Sequence, residues 1–366
     1  MTNRNQALLR IPQGTERFSL EEAYRHRSLV RDIEDFYQRW GYAPIQTPVV
    51  DFYDVYDRLL TAEDRRDVYR LIDRDGEVLL LRSDVTLFLA KQMGLLLREE
   101  DLPERVYYSD TILRHQEAYD ISRNEFFQTG IELVGMPDAD GEIEVLVMLF
   151  ELLRHARSPE FFCHIGSRTL LDAALRPSSE DSGGAETSLA PAVRRAVSLR
   201  RFESLENLAG DRLTAARAAL FELILDGSEF LARLSALSSG LSEAEQAALH
   251  RLASVAKALI DLGYGDRFRI DFSEVGNQAY HSGISFRAYV DGVDSAIAAG
   301  GRYDGLLNRF GFDAPSVGFS VMLRKLEPLL ATERNRPSAT EVSDADPATR
   351  LRTARDIVRT GGSVTL

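Results

Sequence analysis

The chain has 366 residues, 44% of them hydrophobic and 28% charged, with a formal net charge of −13 at pH 7. That length can bury one large core or two smaller ones. The acidic balance excludes a dedicated nucleic-acid binder, whose affinity rests on phosphate neutralisation by Lys and Arg.

Ser19 to Glu22 has the pattern of a capping box, and apolar positions then recur at helical spacing through Val30, Ile33, Phe36 and Tyr37, with Gly41 suited to the stop. Tyr42 to Val50 reads as an extended segment near a sheet edge because Pro44 and Pro48 interrupt it. Tyr69 to Asp73 and Glu77 to Leu81 form a hairpin around Asp75-Gly76. A helix capped by Asp84 runs through Leu87, Leu89 and Met93, and strands follow at 105–108, 111–115 and 125–135. Glu142 to Ala156 is helical, and Val145–Phe150 within it is the longest apolar run, far too short to cross a bilayer. Pro177 to Pro191 is a Ser- and Gly-rich loop.

From about 192 to 262 the pattern is almost wholly helical, an insertion between two sheet-forming regions. Strands return at 268–272, 283–290 and 295–299, Gly300 to Gly305 reads as a turn, and Val317 to Leu330 as a strand entering a helix. Ala331 to Pro347 is linker-like, and 350–366 reads as a short helix, a Gly361-Gly362 turn and a stub of strand. Strands with a helical insertion, rather than alternating β-α-β units, predict an α+β domain over 1–330 with a short tail over 331–366.

Several chemistries find no support in this pattern. There is no G-x-G-x-x-G or P-loop sequence, and the six histidines show no zinc spacing, so no metal site is expected. Cys163 is the one cysteine, which excludes an intramolecular disulfide; its apolar neighbours Phe161, Phe162 and Ile165 mark a buried, inert thiol. No run of signal-peptide length opens the chain, and the expected location is the cytoplasm.

The stretch Asn124 to Glu132 is the most informative. On a strand, Gln128 and Glu132 share a face with Gly130 between them, while Phe127, Ile131 and Leu133 go to the other. An amide and a carboxylate flanking a gap suit a small cationic or hydrogen-bond-donating ligand, although the same spacing is also that of a wet sheet face.

Three blocks in order carry a resemblance. Tyr42-Ala-Pro-Ile-Gln-Thr-Pro-Val49 resembles the dimer-forming first motif of class II aminoacyl-tRNA synthetases. Thr111-Ile-Leu-Arg114 with Glu125 to Gly135 resembles their second motif in its histidyl form, and Gly300 to Gly305 with Pro315 to Leu326 the third-motif region of histidyl-tRNA synthetase. Tyr280-His-Ser-Gly-Ile-Ser-Phe286 is similar to a segment of a paralogous family, the regulatory subunits of ATP phosphoribosyltransferase, which act in histidine biosynthesis. The resemblance implies a class II synthetase-like antiparallel sheet flanked by helices, and a histidine pocket. In that pocket Glu132 meets the imidazole, Gln128, Asp84 and Thr86 hold the amino group, and Tyr280 and His281 line the imidazole end. Asp84 also reads as a plain helix N-cap, and His281 as a plain surface or core histidine.

The departures from a synthetase are equally specific. Gln116 and Glu117 replace a Glu-Arg pair, Ser122 and Asn124 stand where arginines are expected, and Gly276 takes the place of the histidine-specific catalytic arginine. Met322 and Lys325 replace the third-motif glycine and arginine, and Lys lacks the planar two-pronged grip of Arg. Arg123 and Arg324 are neighbouring cations that partly compensate. With Gly276 there, Arg114 becomes the candidate partner for a ligand carboxylate. The residues after Leu330 are too few for a full anticodon-binding domain. The resemblance therefore implies a non-catalytic subunit without cofactor or tRNA, a homodimer through the first motif, partnered by a short-form ATP phosphoribosyltransferase catalytic subunit and binding L-histidine. The alternative is a minimal histidine-activating or amide-forming enzyme on the same fold.

Overall fold

A computed structural model of the chain describes residues 10–366 apart from 11, 13, 16, 17, 63, 116–123, 177–185, 210–212, 214, 277 and 331–338. It divides into two units, one made of 1–16 and 33–331, the other of 17–32 and 332–366. The sequence reading had placed 17–32 with the body; the structure groups it with the tail.

The capping box at Ser19 forms as expected, with the Ser19 N–H donating to Glu22 (2.8 Å) and the Glu22 N–H to the Ser19 hydroxyl (3.2 Å). It opens α1 (Leu20–Arg39), which stops before Gly41 at φ +83°. β1 (Ala43–Pro44) is an edge strand, and Pro44 within it explains why it is two residues long. β2 (Val50–Phe52), β3 (Arg70–Ile72) and β4 (Val78–Leu81) form a small sheet, with β3 and β4 the expected hairpin and Gly76 at φ +91°. α2 (Val85–Leu96) begins at Asp84, whose side chain accepts from the Leu87 N–H at 3.2 Å.

β5 (Glu104–Leu113) is one ten-residue strand, where the sequence reading had two; it pairs antiparallel along its whole length with β6 (Glu125–Val134). α3 (Ala139–His155) buries Val145 through Phe150 almost without interruption, apart from Val147. β7 (Phe161–Ser167), not read as a strand from sequence, runs into α4 (Arg168–Ala174) through the Ser167 cap. The insertion is less purely helical than expected. α5 (Glu186–Ser198) starts within the segment read as a loop, whose first part lies outside the described residues, and β8 (Ile224–Asp226) interrupts the helices before α6 (Gly227–Ser238) and α7 (Glu243–Asp261).

β9 (Phe268–Asp271), β10 (Ile284–Val290), β11 (Ala298–Arg302) and β12 (Ser316–Met322) complete a nine-stranded sheet in the order β1-β5-β6-β12-β11-β10-β7-β9-β8. All its pairs are antiparallel except β1 with β5 and β7 with β9. The turn expected at 300–305 is corrected, because Gly300 and Gly301 lie inside β11. A Cβ at Gly300 would stand 2.4 Å from the Gly318 carbonyl and one at Gly301 2.6 Å from the Ile284 carbonyl, so these are close-approach glycines. In the second unit, β13 (Thr340–Glu341) pairs with β14 (Val364–Thr365) around α8 (Pro347–Arg359), which Asp346 caps. Among the described residues no helix is long and apolar enough to cross a membrane.

A buried ion cluster locks the helices to the sheet. Arg302, the last residue of β11, donates to both oxygens of Glu142 on α3 (2.8 and 2.9 Å) and to the carbonyls of Met136 and Asp138. Arg251 on α7 reaches the same carboxylate from the other side. Burial pushes the Glu142 carboxyl up, but hydrogen bonds from both guanidiniums outweigh it and hold it below the usual carboxylate range. Removing one member of such a cluster leaves a buried charge uncompensated. Glu142→Ala is expected to cost about 3–5 kcal/mol of stability, read as a lower urea midpoint with an unchanged slope; a shift under about 1 kcal/mol would contradict the assignment.

Candidate functional site

The register of the central strands builds a site floor. Tyr108, Gly130, Ser320, Ala299 and Arg287 lie opposite one another in a row across β5, β6, β12, β11 and β10. The adjacent row on the same face holds Glu132, Gly318, Gly301 and Ser285. The middle of this face thus carries only small side chains, and larger polar groups stand at its two sides. A cavity of about 180 Å³ opens over it. All seven residues singled out from the sequence, Asp84, Thr86, Arg114, Gln128, Glu132, Tyr280 and His281, line this one cavity.

One side is carboxylate-rich. Glu132 is buried, lies over Gly318, and accepts from the Thr86 hydroxyl at 2.7 Å and from the Tyr303 hydroxyl. Asp84 accepts from the Tyr280 hydroxyl (3.0 Å) and from Arg114 (3.4 Å) while still capping α2. The cap and the cavity position are therefore one arrangement rather than alternatives. Burial pushes the Glu132 carboxyl up to about 8; hydrogen bonds from Tyr303 and Thr86 pull against this, and nearby Asp84 adds to it. A cationic or N–H-donating ligand would relieve that penalty.

The gap expected over Gly130 is filled. A Cβ there would come 2.2 Å from the Phe319 carbonyl and 2.7 Å from the Tyr108 hydroxyl, so Gly130 admits the tyrosine and the neighbouring strand. Gln128 instead points its amide at the Met322 sulfur, 3.5 Å away.

The other side carries Glu274, Gly276, Gln278, His281 and Arg287. Gly276 has φ +71°, and a Cβ there would lie 2.2 Å from His281 Nδ1. Any side chain at 276, an arginine included, would collide with the imidazole as it stands. Burial, with Arg168 and Arg287 nearby, pushes the His281 pKa down to about 3, so the ring is neutral. Its Nδ1 is buried without a hydrogen-bond partner among the described residues. Arg114 is engaged through Nε with the Ser83 carbonyl at 2.6 Å. Lys325 bonds the Ser295 hydroxyl at 2.8 Å and Arg324 pairs with Glu327. Gln116, Glu117, Ser122 and Arg123 lie outside the described residues. Among the described residues no group of three or more His, Cys, Asp or Glu side chains could hold a metal ion.

Sequence reasoning missed Tyr108, Tyr303, Glu274 and Arg287. The signals were present: Tyr303 follows the Gly300-Gly301-Arg302 run, and Arg287 is the one charge inside its strand.

The folded pKa of Glu132 stands near 8 against an ordinary value of 4.5. The native chain therefore holds a proton that the unfolded chain has lost between those pH values, and this group's contribution to stability falls as pH rises across that window. Denaturant titrations from acid to neutral pH should show a shallower loss for Glu132→Gln than for the wild type. Parallel curves would refute the shift.

Known proteins share this arrangement of the chain. The histidyl-tRNA synthetase family model matches residues 14–326. A Moorella thermoacetica protein named ATP phosphoribosyltransferase regulatory subunit is 32% identical over 98% of this chain and 92% of its own length. One of the same name from Geobacter metallireducens is 30% identical over 98% of this chain and 86% of its own. A Bacillus halodurans crystal structure described as an ATP phosphoribosyltransferase regulatory subunit/histidyl-tRNA synthetase superposes with a TM-score of 0.83 at 23% identity, covering 98% of this chain and 92% of that one.

Proposed function

We propose, for a chain that belongs to the histidyl-tRNA synthetase family and within it to the ATP phosphoribosyltransferase regulatory subunits, that it binds free histidine and regulates a separate short-form catalytic subunit without catalysing a reaction itself. The observation that carries this reading is the contrast within one cavity. The carboxylate side is assembled, with Glu132 held by Thr86 and Tyr303 and Asp84 held by Tyr280 and Arg114. The cations that would stabilise charge on a nucleotide phosphate are replaced or turned elsewhere, at Gly276, Lys325 and Arg324.

In this reading Glu132 accepts from an imidazole N–H, and Asp84, Thr86 and Gln128 receive the ammonium group. A charge-assisted hydrogen bond to a carboxylate is worth roughly 1.5–3 kcal/mol, so Glu132→Ala should weaken histidine binding by about ten- to a hundredfold. Calorimetric titration measures this, and a wild-type chain that takes up no histidine at millimolar concentration, alone or with its catalytic partner, would refute the ligand assignment.

A histidine-activating enzyme would exchange pyrophosphate into ATP in a histidine-dependent way. Removal of one preorganised charge stabiliser costs about two to three orders of magnitude in rate, and here several are missing together. The expected exchange is at the no-protein background, and a clear signal above it would favour the enzymatic alternative.

The homodimer surface in this reading is the first-motif region, where Trp40, Val49, Val50 and Phe52 are exposed apolar residues, the last two on β2. Light scattering at micromolar concentration should report a homodimer. Mixing with the short-form catalytic chain should raise phosphoribosyltransferase activity; a monomer that leaves the activity unchanged would count against the assembly.

A further inference from the structure

We propose that Arg287 takes the carboxylate of a zwitterionic amino acid bound in this cavity, so that the site rejects the same side chain when the carboxylate is missing. The inference rests on the amino-acid reading above and assigns the end of the ligand which that reading left to Arg114.

Four observations carry it. Arg287 lies on β10 in the same cross-sheet row as Gly130, three strands away, or about 14 Å at ordinary strand spacing. Side chains reaching inward from both sides, over a floor of Ser320, Ala299, Gly301 and Gly318, leave the span of one small molecule between a carboxylate wall and a guanidinium wall. The Arg287 guanidinium is oriented: its Nε faces Glu274 at 3.4 Å, and Glu274 itself accepts from the Gly276 N–H at 3.3 Å. An arginine held on one edge by a carboxyl oxygen lines the cavity in a set orientation, and its planar fork suits a ligand carboxylate.

Arg168 and Arg287 both act on the His281 ring, which is neutral and adds no opposing charge, although Arg168 is itself paired with Asp172. Glu274 does oppose a ligand carboxylate. Burial, however, pushes its carboxyl above the usual range, while Arg287 pulls the other way, so it gives up its charge more readily than an ordinary glutamate.

Arg114 is placed differently. It is bound to the Ser83 carbonyl and to Asp84, on the wall that also holds Glu132. A ligand carboxylate there would face two acidic side chains, and Arg114 serves to offset the charge of Asp84.

The test compares L-histidine with L-histidinol, which carries an alcohol in place of the carboxylate, by calorimetric titration of the full chain. The wild type should bind histidine about ten- to a hundredfold more tightly than histidinol. Arg287→Gln should bring histidine down to the level of histidinol and leave histidinol within about twofold, while Arg114→Gln should keep the ratio. Far-ultraviolet circular dichroism and a thermal melt check each fold. Should the glutamine variant not fold, Arg287→Lys replaces it, and its ratio should shrink because Lys cannot form the two-pronged contact.

A ratio kept in either folded Arg287 variant, a ratio that collapses in Arg114→Gln, or equal binding of the two ligands by the wild type overturns the inference and leaves the histidine pocket standing. Uptake of neither ligand by the wild type overturns both.

Discussion

The placement of Glu132 and Tyr303 against each other depends on the buried pairing of Arg302 with Glu142. Arg302 ends β11 and also binds the carbonyls of Met136 and Asp138, which follow directly from β6. The strand that carries Glu132 and the residue next to Tyr303 are thereby fixed to the same helix. The hydrogen bond from Tyr303 to Glu132 spans that junction and requires it to be rigid. Buried pairs of this kind contribute little net stability compared with a well-packed apolar substitute. What this one supplies is register, because the guanidinium reaches Glu142, Asp304 and the carbonyls of Met136 and Asp138 together only from one placement of β11.

On that framework one side of the cavity holds two carboxyl groups whose burdens are handled in different ways. Asp84 shares its charge among a helix N-terminus, a phenol and Arg114, all of them on the protein. Glu132 has neutral donors only, Thr86 and Tyr303, and lies deeper. It is therefore the group with an unmet demand for a cation. The same reasoning explains the surrounding glycines. Gly318 gives Glu132 a place to lie, and Gly130 lets Tyr108 close over β6.

The glycine at position 276 is also a matter of packing. Gly276 does more than omit an arginine: its left-handed backbone and the His281 ring pressed against it leave no volume in which a side chain could be restored singly. Gly276 and His281 form one unit, and a change at either position engages the other.

The local elements were legible in the sequence wherever a chemical signal marked them. The capping box at Ser19, the Asp84 cap, the hairpin at Gly76 and the alternation along β6 need only neighbours along the chain, so a sequence suffices to place them. Conserved order of motif-like blocks similarly made the fold family and the seven cavity residues readable. The sequence was silent where the deciding partner was remote. Gly300 and Gly301 read as a turn because the strands that crowd them were not in view, and Gly130 read as a gap because Tyr108 lies twenty-two residues earlier. Arg287 entered the site only through the cross-strand register, and Tyr303 and Glu274 from the segments that follow β11 and β9. Pairing across a sheet is settled by long-range packing, and no local propensity encodes which small residue will lie beneath which charge.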